Sequence, residues 1–135
     1  MTYLADTSLV IRLRQGRDIA PRWVDAVQAG LVGVCPPVEA ELMRAVASKA
    51  DRDQLQSTLR ALFAWHPMPD SAWRFVERTQ HDLVNLGNHK GPSVVDLLIA
   101  ATAQAWGLTL LHVDADFETI ATVTDLRTLR ADQTV

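Results

Sequence analysis

Apolar and polar positions along the 135-residue chain fall into two textures. Short apolar runs at Tyr3–Ala5, Leu31–Cys35 and Leu108–His112 are too brief for buried helices and predict strands. Longer mixed stretches separate them. Ser8–Gln15 reads as a helix stopped at Gly16. Pro21 at a first helical position and Gly30 just past the end bracket a second helix, with Trp23, Val24 and Val27 on one side. Pro36-Pro37 halts the second strand. Helices follow at about Pro37–Ser48, Asp51–Ala64 and Ser71–Leu86, with a short strand around Trp65–Met68. Gly87–Pro92 (GNHKGP) is a polar loop, and Ser93 then caps a strongly apolar helix ending at Gly107. Beyond the third strand, the loop VDADF leads to a short helix near Glu118–Thr122 and a last strand at Leu126–Leu129. Short apolar strands alternating with helices predict an α/β domain around a mostly parallel sheet.

The stretch Val94–Trp106 is apolar except for Asp96, Thr102 and Gln104, so its apolar groups surround the helix and predict burial. Asp96, Gln104 and Gly107 also argue against reading Val94–Leu111 as a membrane span. Ser93-Val-Val-Asp96 has the form of a capping box. A carboxylate in a buried helix needs a cap, a cation or a metal to offset its desolvation. The helix N-terminus supplies only about 0.3–1 kcal/mol in exposed cases.

Ligands of an open parallel sheet bind beyond the C-terminal ends of its strands. Asp6 lies at the end of the first strand, Asp114 and Asp116 just after the third, and Glu39 and Glu41 open the helix after the second. Each has a local explanation: Asp6 as a helix cap, the D-x-D as turn residues, the glutamates as partners of a helix dipole. Together, however, four or five acids converge without an obvious basic partner. Such a group repels itself unless a hard divalent cation such as Mg²⁺ or Mn²⁺ is present. A metal held there suits phosphodiester hydrolysis. Periodicity leaves Glu39 and Glu41 both open, because they flank the apolar stripe of Val38, Leu42, Ala45 and Val46 on opposite sides.

ADTS at 5–8, AEL at 40–42, GPSVVDLLIAATA at 91–103 and LTLLHVDADF at 108–117 resemble the PIN-domain ribonucleases. More narrowly, they are similar to VapC-type toxins of bacterial type II toxin–antitoxin systems. The resemblance spans Asp6 to Phe117. It implies a single PIN-like domain over residues 1–135, an α/β/α sandwich with a mostly parallel central sheet. It also implies a Mg²⁺-dependent endoribonuclease, with Mn²⁺ a possible substitute, that leaves a 3′-hydroxyl and a 5′-phosphate. By the same resemblance Asp6, Asp96 and Asp114 would bind metal, while Glu41 and Asp116 would hold water on it or a second ion. Glu41 rather than Glu39 is selected by the AEL match. Ser8 would support Asp6. The family often has Thr where this chain has His112. Further implied are a homodimer, a cognate VapB-type antitoxin that places a basic side chain among the carboxylates, and arrest of translation through cleavage of tRNA, rRNA or mRNA.

Composition sharpens this picture. At 48% hydrophobic the chain is too apolar to be disordered, and its length suits one domain. A lone Cys35 excludes an internal disulfide and fits a reducing cytoplasm, and the N-terminus lacks the form of a signal peptide. The formal charge of -3 speaks against broad electrostatic binding of nucleic acid. Yet setting aside the five candidate carboxylates leaves 11 acids against 13 basic residues. The negative charge is concentrated where metal ions can invert it.

The remaining residues are weighed in the same way. His112 reads as a packed strand residue, with proton transfer the lesser alternative. His89-Lys90-Gly91 could hold an RNA phosphate or form a solvated turn. Arg12, Arg14 and Arg44 could steer RNA. Trp106 is expected in the core, Trp65 and Trp73 in a partner groove, and Cys35 as an inert hydrophobe. Two rivals stand beside the nuclease: a receiver-like Mg²⁺-binding phosphotransfer module, and a catalytically silent PIN fold. The receiver would need a lysine at a late strand end, and none follows Lys90. The full set of five acids argues against the silent fold, and a non-toxin RNA-processing PIN nuclease is a further alternative.

Overall fold

A computed structural model describes residues 2–132. Its strands are β1 (Tyr3–Ala5), β2 (Val32–Val34), β3 (Ala64–Trp65), β4 (Thr109–His112) and β5 (Arg127–Arg130). The helices are α1 (Thr7–Gln15), α2 (Pro21–Gln28), α3 (Pro36–Met43), α4 (Lys49–Leu62), α5 (Ala72–Asn85), α6 (Val94–Trp106) and α7 (Ala115–Ala121). The five strands form one sheet in the order β3-β2-β1-β4-β5, and every pairing in it is parallel. Leu4, for example, sits opposite Gly33 on one side and Leu110 on the other.

This is the predicted α/β sandwich around a parallel sheet. The order also removes the receiver-like alternative, whose sheet runs 2-1-3-4-5. All residues of β2 and β4 are buried, as are Leu4 and Ala5 of β1. Consecutive buried positions mean that both faces of the sheet are covered, which is why these strands read as unbroken apolar runs. The core between sheet and helices includes Leu9, Val38, Leu59, Leu97, Ile99, Phe117 and Ile120. Among the described residues, no helix is long and apolar enough to cross a membrane.

Several element ends differ from expectation for local reasons. Asp6 caps α1 by accepting the Leu9 N–H at 2.8 Å, so the helix begins at Thr7 rather than Ser8. The helix expected over Pro37–Ser48 begins at Pro36 and ends at Met43. Ser48 is extended (φ -154°, ψ 169°) because its hydroxyl caps α4 through the Asp51 N–H. A residue so engaged cannot also continue the preceding helix. The strand β3 stops at Trp65, before Pro67 and Pro69, which have no N–H to donate to a ladder. The predicted VDADF loop is mostly helix, because Asp114 accepts the Asp116 N–H and starts α7.

Trp106 corrects another expectation. It is 50% exposed rather than a core residue. It occupies the last position of α6, before Gly107 turns into the left-handed region. From there its indole N–H donates to the Pro67 carbonyl at 2.9 Å, and its ring meets His66 edge-on at 5.3 Å. The middle of α6 is buried as expected, from Leu97 through Ala103 save for a half-buried Leu98, whereas Val94 and Ala105 at its ends are exposed and Asp96 is half-buried.

Candidate metal centre

The strand order reverses between β1 and β4, and a crevice at such a switch point is where α/β sheets bind ligands. Asp6 follows β1, and Asp114 lies two residues beyond the end of β4. Asp96 comes from the first turn of α6, Asp116 from the first turn of α7, and Glu41 from the second turn of α3. Carboxylate oxygens of Asp96, Asp114 and Asp116 lie within 4.8 Å of one another. Asp6 and Glu41 are outside that trio; Asp114, Asp96 and, least, Glu41 act on Asp6 electrostatically.

The capping explanations and a metal-binding role are compatible here. Asp6 uses Oδ1 to cap α1. Asp96 accepts the Ser93 N–H on Oδ2 at 3.0 Å while its own N–H donates to the Ser93 hydroxyl at 3.1 Å, completing the capping box. Asp114 accepts the Asp116 N–H on Oδ1 at 2.9 Å. In each case the backbone bond engages one oxygen of the carboxylate. The caps therefore orient the carboxylates without consuming them.

The electrostatics are those of clustered, partly desolvated carboxylates. Asp6 is 2% exposed, and burial pushes its carboxyl up to about 7. That value already includes the Leu9 N–H, which pulls it down, and Asp114, Asp96 and Glu41, which push it up. Burial also raises Asp96, opposed by its bonds with Ser93 and reinforced by Asp114 and Asp116. Asp116 is raised by desolvation and then by Asp114. Among the described residues, none of the five acids forms an ion pair. Clustered, partly desolvated carboxylates without a cation are a donor set that fits a hard divalent metal ion.

Geometry also separates the two glutamates of α3. Glu39 is ion-paired with Arg60 at 3.2 Å and accepts from Gln56 at 3.5 Å. Glu41 instead accepts a hydrogen bond from the Thr7 hydroxyl and raises Asp6. Sequence reasoning missed Thr7. The family resemblance implies Ser8 as the support of Asp6, but Ser8 is exposed, and it is the Thr7 hydroxyl that touches a candidate carboxylate, Glu41. Adjacent helical side chains diverge by about 100°, so ADTS signals a hydroxyl without saying which one faces α3.

His112 is fully buried, as the packed reading expects. Its Nδ1 accepts the Asp114 N–H at 3.2 Å, and its ring lies 5.5 Å from that of Phe117. Burial lowers its pKa. It thus supports the start of the D-x-D from beneath. Cys35 is buried, with its thiol pushed up to about 12 by burial, and behaves as a hydrophobe.

Arg12 and Arg17 line a shallow groove of about 380 Å³ that reaches Asp114 along α1, and Arg44 lines one of about 340 Å³ beside Glu41. Arg14, His89 and Lys90 are exposed. Trp65 is 38% exposed and carries the Arg60 guanidinium 4.0 Å from its ring centre; Trp73 is 61% exposed on α5. A wider groove of about 610 Å³, near the C-terminal end of α6, contains none of the five acids.

Comparison with known proteins identifies the family of the fold. The family model described as "PIN domain" matches residues 3–123. The chain is similar to Ribonuclease VapC6 of Mycobacterium tuberculosis, with 41% identity over 87 residues, covering 64% of this chain and 68% of that one. It is also similar to Ribonuclease VapC2 of the same species, with 36% identity over 130 residues, covering 95% of this chain and 91% of the relative. Among solved structures it resembles VapBC-5 of M. tuberculosis, a member of the VapBC family of toxin–antitoxin systems. That match has a TM-score of 0.63 and 25% identity, covering 96% of this chain and 98% of the other. The chain therefore belongs to the PIN-domain family, in its VapC-like branch of type II toxin–antitoxin ribonucleases.

Proposed function

We propose that this single-domain protein is the toxin of a type II toxin–antitoxin pair, an endoribonuclease dependent on Mg²⁺, with Mn²⁺ able to substitute. The observation that carries the reading is the trio Asp96, Asp114 and Asp116, with oxygens within 4.8 Å of one another beside a buried Asp6. Asp6, Asp96 and Asp114 would hold the ion. When bound, it supplies Lewis-acid polarisation of the phosphoryl oxygens and makes water a competent nucleophile near neutral pH.

The chain's own residues do the rest. Glu41, with one oxygen tied to the Thr7 hydroxyl, orients the attacking water through the other. Asp116 holds water or a second ion. His112 fixes the Asp114 backbone, and the caps at Asp6 and Asp96 fix the other carboxylates. Attack of water on phosphorus breaks the bond to the 3′-oxygen, leaving a 3′-hydroxyl and a 5′-phosphate. Arg12, Arg44, His89 and Lys90 border this edge and would receive flanking RNA phosphates. The names of the relatives support RNA as substrate, and the VapBC likeness supports an antitoxin partner. That VapB-type partner would neutralise the enzyme by placing a basic side chain among the carboxylates. We propose a homodimer as the working unit, in the cytoplasm, acting on tRNA, rRNA or mRNA.

The test is incubation of end-labelled RNA with purified protein in Mg²⁺, in EDTA, and with Asp6→Ala or Asp96→Ala. Cleavage should require the metal and drop by at least ~10²-fold in either variant. Undiminished cleavage in EDTA or in both variants contradicts the reading.

A further inference from the structure

The glycines divide into two kinds. Gly16, Gly30, Gly87 and Gly107 have positive φ, and a Cβ at any of them would meet nothing within 4 Å. Their reason for being glycine is backbone conformation. Gly91 is the reverse. Its φ lies outside the left-handed region, so its backbone would accept alanine, but an added Cβ would sit 2.8 Å from Oδ1 of Asp116 and 3.8 Å from its Cγ. Real Cβ atoms essentially never approach a heavy atom so closely. The neighbour is the end of a short side chain, so relief would come from moving the carboxylate.

That carboxylate is not free to move without consequence. Its oxygen lies within 4.8 Å of those of Asp96 and Asp114, and its backbone N–H is bonded to Asp114. The loop between α5 and α6 therefore passes directly against one member of the trio, and Gly91 is the point of contact. Resting on the metal-centre reading above, we infer that Gly91 is a positioning residue for the reaction. Its missing side chain admits the Asp116 carboxylate to its place beside Asp96 and Asp114, where it serves the metal centre by holding water or a second ion. The same approach brings the backbone of Gly91 to the rim of the centre, so the loop shapes the acidic cluster.

The test is a double-mutant cycle read by Mn²⁺ affinity in calorimetry and by melting temperature without metal. The proteins are wild type, Gly91→Ala, Asp116→Ala and the combination, with Gly87→Ala as a control in the same loop. Gly91→Ala should weaken Mn²⁺ binding roughly tenfold in the wild-type background and less than about twofold in the Asp116→Ala background. Gly87→Ala, which strains the backbone at φ 72° and touches nothing, should lower the melting temperature and leave affinity unchanged. If Gly91→Ala itself folds poorly, removing the Asp116 side chain should recover the melting temperature. Wild-type affinity in Gly91→Ala, an equal loss in both backgrounds, or a double variant that remains unfolded overturns the inference. If Asp96→Ala and Asp116→Ala both bind Mn²⁺ as wild type does, the metal-centre reading itself fails, a separate and distinguishable outcome.

Discussion

The carboxylates of this protein live in two kinds of surroundings. Around the periphery, Glu39 is paired with Arg60, Glu118 and Asp132 share Arg130, and Asp53 sits beside Arg52. At the crevice between β1 and β4, Asp96, Asp114 and Asp116 face one another beside the buried Asp6, and neither they nor Glu41 form an ion pair among the described residues. The contrast is clearest on one helix, where Glu39 and Glu41 are two residues apart. One meets a guanidinium, the other a hydroxyl and a second carboxylate. A fully exposed pair of the first kind, such as Arg52–Asp53, contributes about 0.2–1 kcal/mol. Among acids of the second kind, Asp6, Asp96 and Asp116 are raised by desolvation and by their neighbours, so their charged forms cost stability unless a cation offsets them. An acid's lack of a partner is thus more informative than its charge.

Replacing the two glutamates should expose the contrast most sharply. Glu41→Gln keeps an acceptor for Thr7 but removes the charge, and RNA cleavage should fall roughly 10–100-fold with little change in melting temperature. Glu39→Gln should leave cleavage within about twofold of wild type. Equal losses in a side-by-side cleavage assay would erase the distinction drawn between them.

The second consequence concerns pH. Asp6 has a folded-state pKa of about 7 against an ordinary 3.8. The folded protein therefore holds a proton that the unfolded chain releases. The resulting stability is fully present below about pH 4 and lost as pH rises towards 7, and the raised Asp96 and Asp116 act in the same direction. Without divalent ions, the melting temperature should be several degrees lower at pH 8 than at pH 5, and Mg²⁺ should restore it at pH 8. Asp6→Asn, which retains the helix cap, should flatten this dependence and weaken metal binding. Thermal melts showing the opposite slope in the wild-type protein would contradict the electrostatic account.

The smallest expected effect is at the periphery. Arg60→Ala removes an exposed ion pair and a cation–π contact, and should lower the melting temperature by about 1–4 °C without altering cleavage.

What could be read from the sequence follows from which forces act locally. The strands β1, β2 and β4 were legible because burial on both faces leaves short apolar runs, each followed by a cap or a proline. The helix α6 was legible at both ends through Ser93, Asp96 and Gly107. The end of α3 was not, because the apolar positions Ala45 and Val46 continue the helical stripe past the point where Ser48 must extend to cap α4. Nor was Trp106, whose position at a helix end leaves it exposed despite its apolar neighbours. Convergence of the acids followed from topology, whereas Thr7 against Glu41 and Gly91 against Asp116 are contacts between elements that no local pattern encodes.

The most direct measurement is Mn²⁺ binding at pH 7.5 to the wild-type protein, Asp96→Asn, Asp114→Asn and Glu39→Gln. The account predicts saturable binding in wild type and Glu39→Gln, and a loss of roughly 10-fold or more in both aspartate variants. Binding retained at wild-type strength in Asp96→Asn and Asp114→Asn would contradict it.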